Sequence, residues 1–297
     1  MRVAVTGGAG FVGSAIVRSL LAAGHHVLVV DDLSTGKVGN IEGLACDFHH
    51  VDAGSALYSS CEAVVHAAAY PDVSQNWKHP RERARQWQSN AELTRRVLER
   101  EIPLGCRFVL LSTCSVYGGG RVDESAIPRA TSPYAASKIA AEALVSAYTE
   151  AGRIDGVTLR LVNVVGPRYG HGHIADFVRM AREGHVHALD DGRKAKSFVH
   201  ADDVAACVRD CIESPQCGPT GRIGNVSSAV CWSWRDTVGV MRSMRPDLAF
   251  ELTHEQRRSG WIGDPDELVV SSHVFDEQST SVAVGVGQAL ESLGWMK

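Results

Sequence analysis

The sequence predicts an α/β fold: a doubly wound parallel sheet with a smaller C-terminal lobe for substrate. Three observations predict it. Short apolar runs alternate with helical patterns through the first half of the chain, as in a parallel sheet wrapped by helices. A glycine-rich turn, Gly7-Gly8-Ala9-Gly10-Phe11-Val12-Gly13, follows the first of those runs directly. An acidic pair, Asp31-Asp32, closes the second run about twenty residues further on.

Taken in order, Arg2–Thr6 reads as the first strand, 10–23 as a helix and His26–Asp31 as the second strand. Residues 63–67 form a later strand, 84–100 a helix and 108–112 another strand. An alanine-rich helix covers 134–151 and a strand covers 157–162. Past Gly166-Pro167 the pattern turns irregular, then becomes helical again from about Asp202 to Glu213. An amphipathic helix over 282–295 ends the chain. The expected division is a dinucleotide-binding domain over 1–165, which 198–230 rejoins, and a small lobe over 166–297.

A chain of 297 residues can bury a core of that size. Its net charge of −4 and lack of a basic block give no case for nucleic acid or a membrane surface. No apolar stretch reaches membrane-spanning length, and the first eight residues already read as strand and turn rather than a signal peptide. Eight scattered cysteines without a Cys-x-x-Cys pair read as reduced thiols of a cytoplasmic protein. His171, His173, His185 and His187 lack clustered carboxylates or thiols at ligand spacing, so no metal is expected.

The glycine turn lets the backbone approach a pyrophosphate at the positive end of the following helix. The strand before it, the helix after it and the acidic pair together make a Rossmann-type dinucleotide fingerprint. Asp31 can accept hydrogen bonds from ribose hydroxyls and repels a 2′-phosphate. No arginine stands beside it, and Lys37 is the nearest cation downstream, so NAD is expected over NADP.

Tyr134 and Lys138, four residues apart, share one face of a helix. An ammonium beside a phenol stabilises the phenolate and fits the tyrosine for proton transfer. Thr113 ends the apolar run 109–113, where the carboxyl end of a buried parallel strand would place its hydroxyl in the same cleft.

With these residues in view, the chain resembles the extended short-chain dehydrogenase/reductases, within them the nucleotide-sugar epimerases and dehydratases, and most of all the UDP-glucose 4-epimerase group. The resemblance spans nearly the whole chain. It runs through the glycine loop at 6–13 (Gly7, Gly10, Phe11, Val12) and Asp31-Asp32-Leu-Ser34-Thr35-Gly36. Asp47-Phe48 resembles an adenine-contacting pair, Ala67-Ala68-Ala69 the loop under the cofactor, and Asn90 the asparagine on the next helix. The segments 112–118, Tyr134 to Lys138, 160–168 (with Asn163, Val164 and Arg168) and 197–205 continue the series.

The resemblance implies an NAD enzyme acting on a nucleotide-diphospho-sugar, in a homodimer paired through the helices over 84–100 and 134–151. Thr113, Tyr134 and Lys138 would be catalytic, and Lys138 would also bind the nicotinamide ribose. Thr113, Asn163 and Lys196 would meet substrate. Arg168 and Arg258 are substrate candidates on their own chemistry, since a guanidinium can pair with the diphosphate or with a sugar carboxylate. Three departures stand out. Lys196-Ser197 replaces the usual Arg-Asp, the stretch 166–190 is short, and the Asp-x-Ser-Lys element near the end is absent. Dehydratases and decarboxylases of the family carry Asp or Glu just after the Ser/Thr position. Here Cys114 and Ser115 stand there, Cys114 reading as a small packing residue, which favours C4 epimerisation by transient oxidation. A dehydratase, a decarboxylase, a keto-reductase and a non-catalytic dinucleotide-binding protein are the alternatives.

Overall fold

In the computed structural model the described residues are all but 72–78, 171, 190–194, 215–222, 229, 248, 256–267, 272–280 and 297. The strands are β1 Arg2–Thr6, β2 His26–Asp31, β3 Asp47–His50, β4 Ala63–His66, β5 Cys106–Thr113, β6 Gly120–Val122 and β7 Ile154–Leu161. They continue with β8 Asn163–Val165, β9 His185–Leu189, β10 Ala195–His200, β11 Ile223–Val226, β12 Cys231–Ser233, β13 Glu251–Glu255 and β14 Leu268–Val270. The helices are α1 Phe11–Ala22, α2 Pro80–Gln86, α3 Leu93–Leu98, α4 Pro133–Glu150, α5 His173–Arg182, α6 Ala201–Glu213, α7 Trp234–Met244 and α8 Val282–Ser292.

Seven strands build the main sheet in the order β11-β7-β5-β4-β1-β2-β3, every neighbouring pair parallel. The chain winds outward one way from β1 through β3 and the other way from β4 through β11. The reversal lies between β1 and β4, and it opens a crevice at the carboxyl ends of the strands, the usual ligand position in such a sheet. Every residue of β4 and β5 is buried, because helices cover both faces. The strand β11 and the helix α6, which packs on α1, return to this sheet from beyond residue 166.

A second sheet runs β12-β10-β14-β6, with β8 paired to β10, and β13 pairs β9. It shares a separate apolar core with α5, α7 and α8, around Phe177, Phe198, Met241 and Trp295.

Several elements differ from the sequence reading. The helix expected over 84–100 starts earlier, at Pro80, and is divided by a π-helical stretch, Trp87–Glu92. The extra residue there lets the Asn90 side chain reach sideways while Thr94 donates to the Asn90 carbonyl at 2.6 Å. The last helix ends at Ser292 rather than 295, because Gly294 turns left-handed (φ 70°) and the Trp295 N–H returns to the Leu290 carbonyl. The short strand β3 has a single apolar residue, Phe48, and no apolar run to announce it.

Under the crevice lies a buried ion pair. Glu142 on α4 takes both arms of Arg160 on β7, Nε at 3.0 Å and Nη2 at 2.6 Å, and a hydrogen bond from Ser112 at 2.5 Å. Arg160 also donates to the Tyr117 hydroxyl, which donates to Asn225. Helix α4 is thereby fixed against β5 and β7. Arg160→Met leaves the carboxylate buried without its partner, and the expected loss of unfolding free energy is about 3–5 kcal/mol. Urea unfolding of this variant and of the Glu142→Met/Arg160→Met double variant checks it: the double should recover most of the loss. A single-variant cost below about 1 kcal/mol, no more than a surface pair is worth, contradicts the reading.

Candidate active site

The crevice is a cleft of about 1380 Å3. That exceeds the roughly 300–1,000 Å3 of an ordinary small-molecule site, so a dinucleotide and a second ligand can lie in it together.

Its first wall is the turn from β1 into α1. A Cβ at Gly13 would overlap the Gly7 carbonyl oxygen, and a Cβ at Gly10 would stand 3.0 Å from the same atom. No larger side chain fits there, so the first helical turn presents bare N–H groups to the cleft. Gly7, Gly10, Phe11 and Val12 line it, as do Asp31, Asp32, Ser34 and Thr35. The Asp31 carboxylate, buried at the end of β2, accepts from the Ala9 N–H at 3.0 Å and the Leu33 N–H at 2.8 Å. Desolvation, its largest influence, raises its pKa above the usual carboxylate value, and those two hydrogen bonds oppose the rise. Each oxygen retains lone-pair capacity for a ribose hydroxyl.

Opposite stand Ala67, Ala68 and Ala69 after β4, with Val164. Beneath them, His66 bonds Thr6 at 2.7 Å and Thr94 at 3.1 Å, and burial lowers its pKa to about 3. It is a neutral strut between β1, β4 and α3.

At the far end Thr113, Tyr134 and Lys138 converge on the cleft. Ser132 caps α4, accepting from the Ala135 N–H at 3.1 Å, and Pro133 fills the first helical position, which fixes where Tyr134 begins. Thr113, at the end of β5, hydrogen-bonds the Tyr134 hydroxyl and accepts from the Ser115 N–H at 3.2 Å. The Lys138 ammonium donates to the Leu111 carbonyl at 2.6 Å.

The sequence suggests that Lys138 holds the Tyr134 pKa low. In the unliganded chain burial wins. Tyr134 is pushed up to about 12, against the smaller effect of the Thr113 hydrogen bond, and Lys138 is pushed down to about 8, against the attraction of Glu142. Desolvation penalises the charged form of each.

Four expected contacts are not walls of the cleft. Gly36 lies behind Asp31, and a Cβ there would sit 2.7 Å from Asp31 Oδ1, so its role is to let the loop close. Asn90 is buried, its Oδ1 accepting from the Tyr70 N–H at 2.8 Å and its Nδ2 donating to Ser137 at 3.0 Å. It fixes the loop after β4 against α4. Asp47 is paired with Arg2 at 3.0 Å, at the amino end of β3, and Phe48 stacks on His50. In register, Asp31 is opposite His50, not Asp47. The residues that β3 delivers to the cleft are instead Asp52 and Ala53. The register, invisible in an isolated sequence, carries that correction.

Asn163, Arg168 and Lys196 line the second-lobe side. Asn163 donates to the Ser197 carbonyl at 3.3 Å, and the buried Lys196 ammonium lies 5.4 Å over the Trp234 ring. Arg258 lies outside the described residues. Tyr70, Ser115, Tyr169, His173 and Trp234 also line the cleft, and no sequence motif singles out that role for them. Cys114 is fully buried with a thiol pushed well above its ordinary pKa, and it donates to the Arg160 carbonyl. It is a packing residue. Among the described residues, no three metal-ligating side chains cluster.

The NAD dependent epimerase/dehydratase family model matches residues 3–227. A UDP-glucose 4-epimerase of Streptomyces lividans is 28% identical, covering 98% of this chain and 90% of its own. A dTDP-glucose 4,6-dehydratase of Streptomyces niveus is 31% identical over 75% of this chain and 72% of its own. The crystal structure of the UDP-glucose 4-epimerase of Thermus thermophilus, in complex with NAD, superposes with a TM-score of 0.82 at 28% identity over 99% of both chains. The chain belongs to the NAD-dependent epimerase/dehydratase family, and NAD is its cofactor. The bare first turn of α1 and the buried Asp31 carboxylate fit that group's pyrophosphate and ribose.

The opposed shifts of Tyr134 and Lys138 give a testable sign. The folded pKa of Lys138 lies below its unfolded value, so between pH 8 and 10.5 the unfolded chain binds more protons there. Its contribution to stability therefore rises with pH across that window. Relative to Lys138→Met, ligand-free wild type should be at a disadvantage at pH 7 that shrinks by pH 10. Denaturant midpoints of the two proteins across this range check it, and a widening gap would mean that Lys138 is not desolvated.

Proposed function

We propose that the protein is an NAD-dependent 4-epimerase of a nucleotide-diphospho-sugar, UDP-linked by preference. The observation that carries the reading is the convergence of Thr113, Tyr134 and Lys138 on one cleft, with a buried thiol and a serine, rather than a carboxylate, following Thr113. One proton-transfer group suffices to oxidise and re-reduce a single carbon. Eliminating water requires a further acid or base, and none stands in that place. Relatives named for UDP-sugar epimerisation, over nearly the full chain, support it.

NAD, held by the glycine turn and Asp31, would supply the hydride acceptor and a positive charge. Tyr134 takes the proton of the sugar C4 hydroxyl on its Oη, and Thr113 holds the sugar oxygen and the phenol in line. Lys138 keeps its proton and steadies the phenolate electrostatically. Epimerisation would require the keto-sugar to turn over in the cleft while the Tyr134 phenol retains the proton. Asn163 and Lys196 meet the nucleotide diphosphate, Lys196 as a point charge rather than a planar fork. The dinucleotide unit spans 1–165 and is rejoined by 198–230, which the placement of α6 and β11 supports. The second lobe, 166–297, holds the nucleotide-sugar around its own apolar core.

The assembly in this proposal is a homodimer in the cytoplasm, paired through the outer faces of α2–α3 and α4. Trp87, 54% exposed between α2 and α3, offers an apolar anchor for that pairing. Sedimentation showing a monomer at micromolar concentration would remove the dimer. No described helix is long and apolar enough to cross a membrane.

Turnover without added cofactor, in deuterated water and with Tyr134→Phe as control, tests the reaction. The expected product is the C4 epimer of unchanged mass, with no carbon-bound deuterium and no net NADH. Tyr134→Phe should lose at least about 100-fold in kcat while still binding NAD. Loss of water or carbon dioxide, deuterium at C5, or stoichiometric NADH would replace the proposal with a dehydratase, decarboxylase or dehydrogenase.

A further inference from the structure

The sequence makes Arg168 a candidate substrate contact, yet its geometry faces the cofactor. It follows β8 in a left-handed backbone conformation (φ 69°), one of two non-glycine residues at positive φ among those described. Such strain persists where the surroundings hold it, commonly at ligand clamps. Here two contacts hold it. The Arg168 N–H donates to Ser292 Oγ on α8 at 2.8 Å, and Nε donates to Ser14 Oγ at 3.1 Å. Ser14 belongs to the first turn of α1 and in turn donates to the Phe11 carbonyl. The guanidinium thus lies over the helix start whose N–H groups face the cleft, and among the described residues its Nη donors have no hydrogen-bond acceptor.

Charge strengthens the case. Arg18 stands one turn further along α1, and Arg168 is half-buried beside it. Desolvation first, then that like charge, lowers the Arg168 pKa, while Asp202 attracts it more weakly. Among the described residues no carboxylate forms an ion pair with Arg168. Arg168 therefore stands beside the positive end of a 12-residue helix, while Arg18 is held by the Asn40 carbonyl at 2.9 Å and Asp202 acts on Arg168 only weakly. A diphosphate satisfies that arrangement, and a guanidinium fork matches its oxygens. Either the cofactor or the nucleotide-sugar could supply one. The bond to Ser14 decides for the cofactor, because Ser14 directly follows the glycine turn to which the NAD pyrophosphate is assigned.

We propose that Arg168 is a ligand of the NAD pyrophosphate, supplied from the second lobe and anchored on the C-terminal helix. Cofactor retention then depends on α8 as well as on the glycine loop. The inference rests on NAD binding at that loop and not on the reaction assigned above, and binding measurements separate the two.

Isothermal titration of NAD and, separately, of UDP into ligand-free Arg168→Met and wild type tests it. NAD affinity should fall about 10- to 100-fold, the range for one charge-assisted contact, while UDP affinity stays within about twofold. Arg168→Lys keeps the charge without the fork and should fall between. It also carries the comparison if the methionine variant fails to fold, as a ligand-free thermal melt would reveal. NAD affinity within about twofold of wild type in the folded variants overturns the proposal. So does a UDP loss equal to or larger than the NAD loss, which would move Arg168 to the substrate's diphosphate.

Discussion

The site depends on the seam between α4 and the carboxyl end of β5. Tyr134, Lys138 and Glu142 follow one another at four-residue intervals on α4, and each is tied to the same strand end. Tyr134 meets Thr113, Lys138 donates to Leu111 and Glu142 accepts from Ser112. The Arg160 fork on Glu142 locks this seam to β7. A buried ion pair contributes little net stability in general, because desolvation offsets the attraction. Its service here is placement: it holds a phenol, an ammonium and a hydroxyl in one corner of a cleft.

That placement has an electrostatic consequence. Burial pushes the tyrosine towards its neutral form and the lysine towards losing its proton, so the protein's own groups alone do not favour the phenolate near neutral pH. A positive charge brought into the corner would favour the phenolate.

Much of the fold is legible in the sequence, because the period-2 and 3.6 patterns and the glycine turn are local. The parallel strands from Arg2–Thr6 to Ile154–Leu161 that carry continuous apolar runs are found that way, as are Asp31, Thr113, Tyr134 and Lys138 in the cleft. What is not legible depends on pairing between distant segments. Strand β3 has no apolar run, so only its register with β2 shows that His50, not Asp47, neighbours Asp31 and that Asp52 and Ala53 reach the cleft. The π-helical stretch around Asn90 has no signature in hydrophobic periodicity. The contact between Arg168 and Ser14 spans 154 residues and two lobes, which no motif encodes. The upward shift of Tyr134 escapes the sequence for a related reason: spacing reveals a neighbouring charge but not how much water the fold removes.

The central claim is that the cofactor, not the protein alone, makes Tyr134 a proton carrier. Titrating Tyr134 directly, by 13C NMR of ring-labelled tyrosine assigned with Tyr134→Phe, tests it most directly. The account predicts a pKa near 12 in the ligand-free protein and a fall of several units towards neutrality with NAD bound. A tyrosine that titrates near neutral pH without cofactor, or one that NAD leaves unmoved, would contradict it.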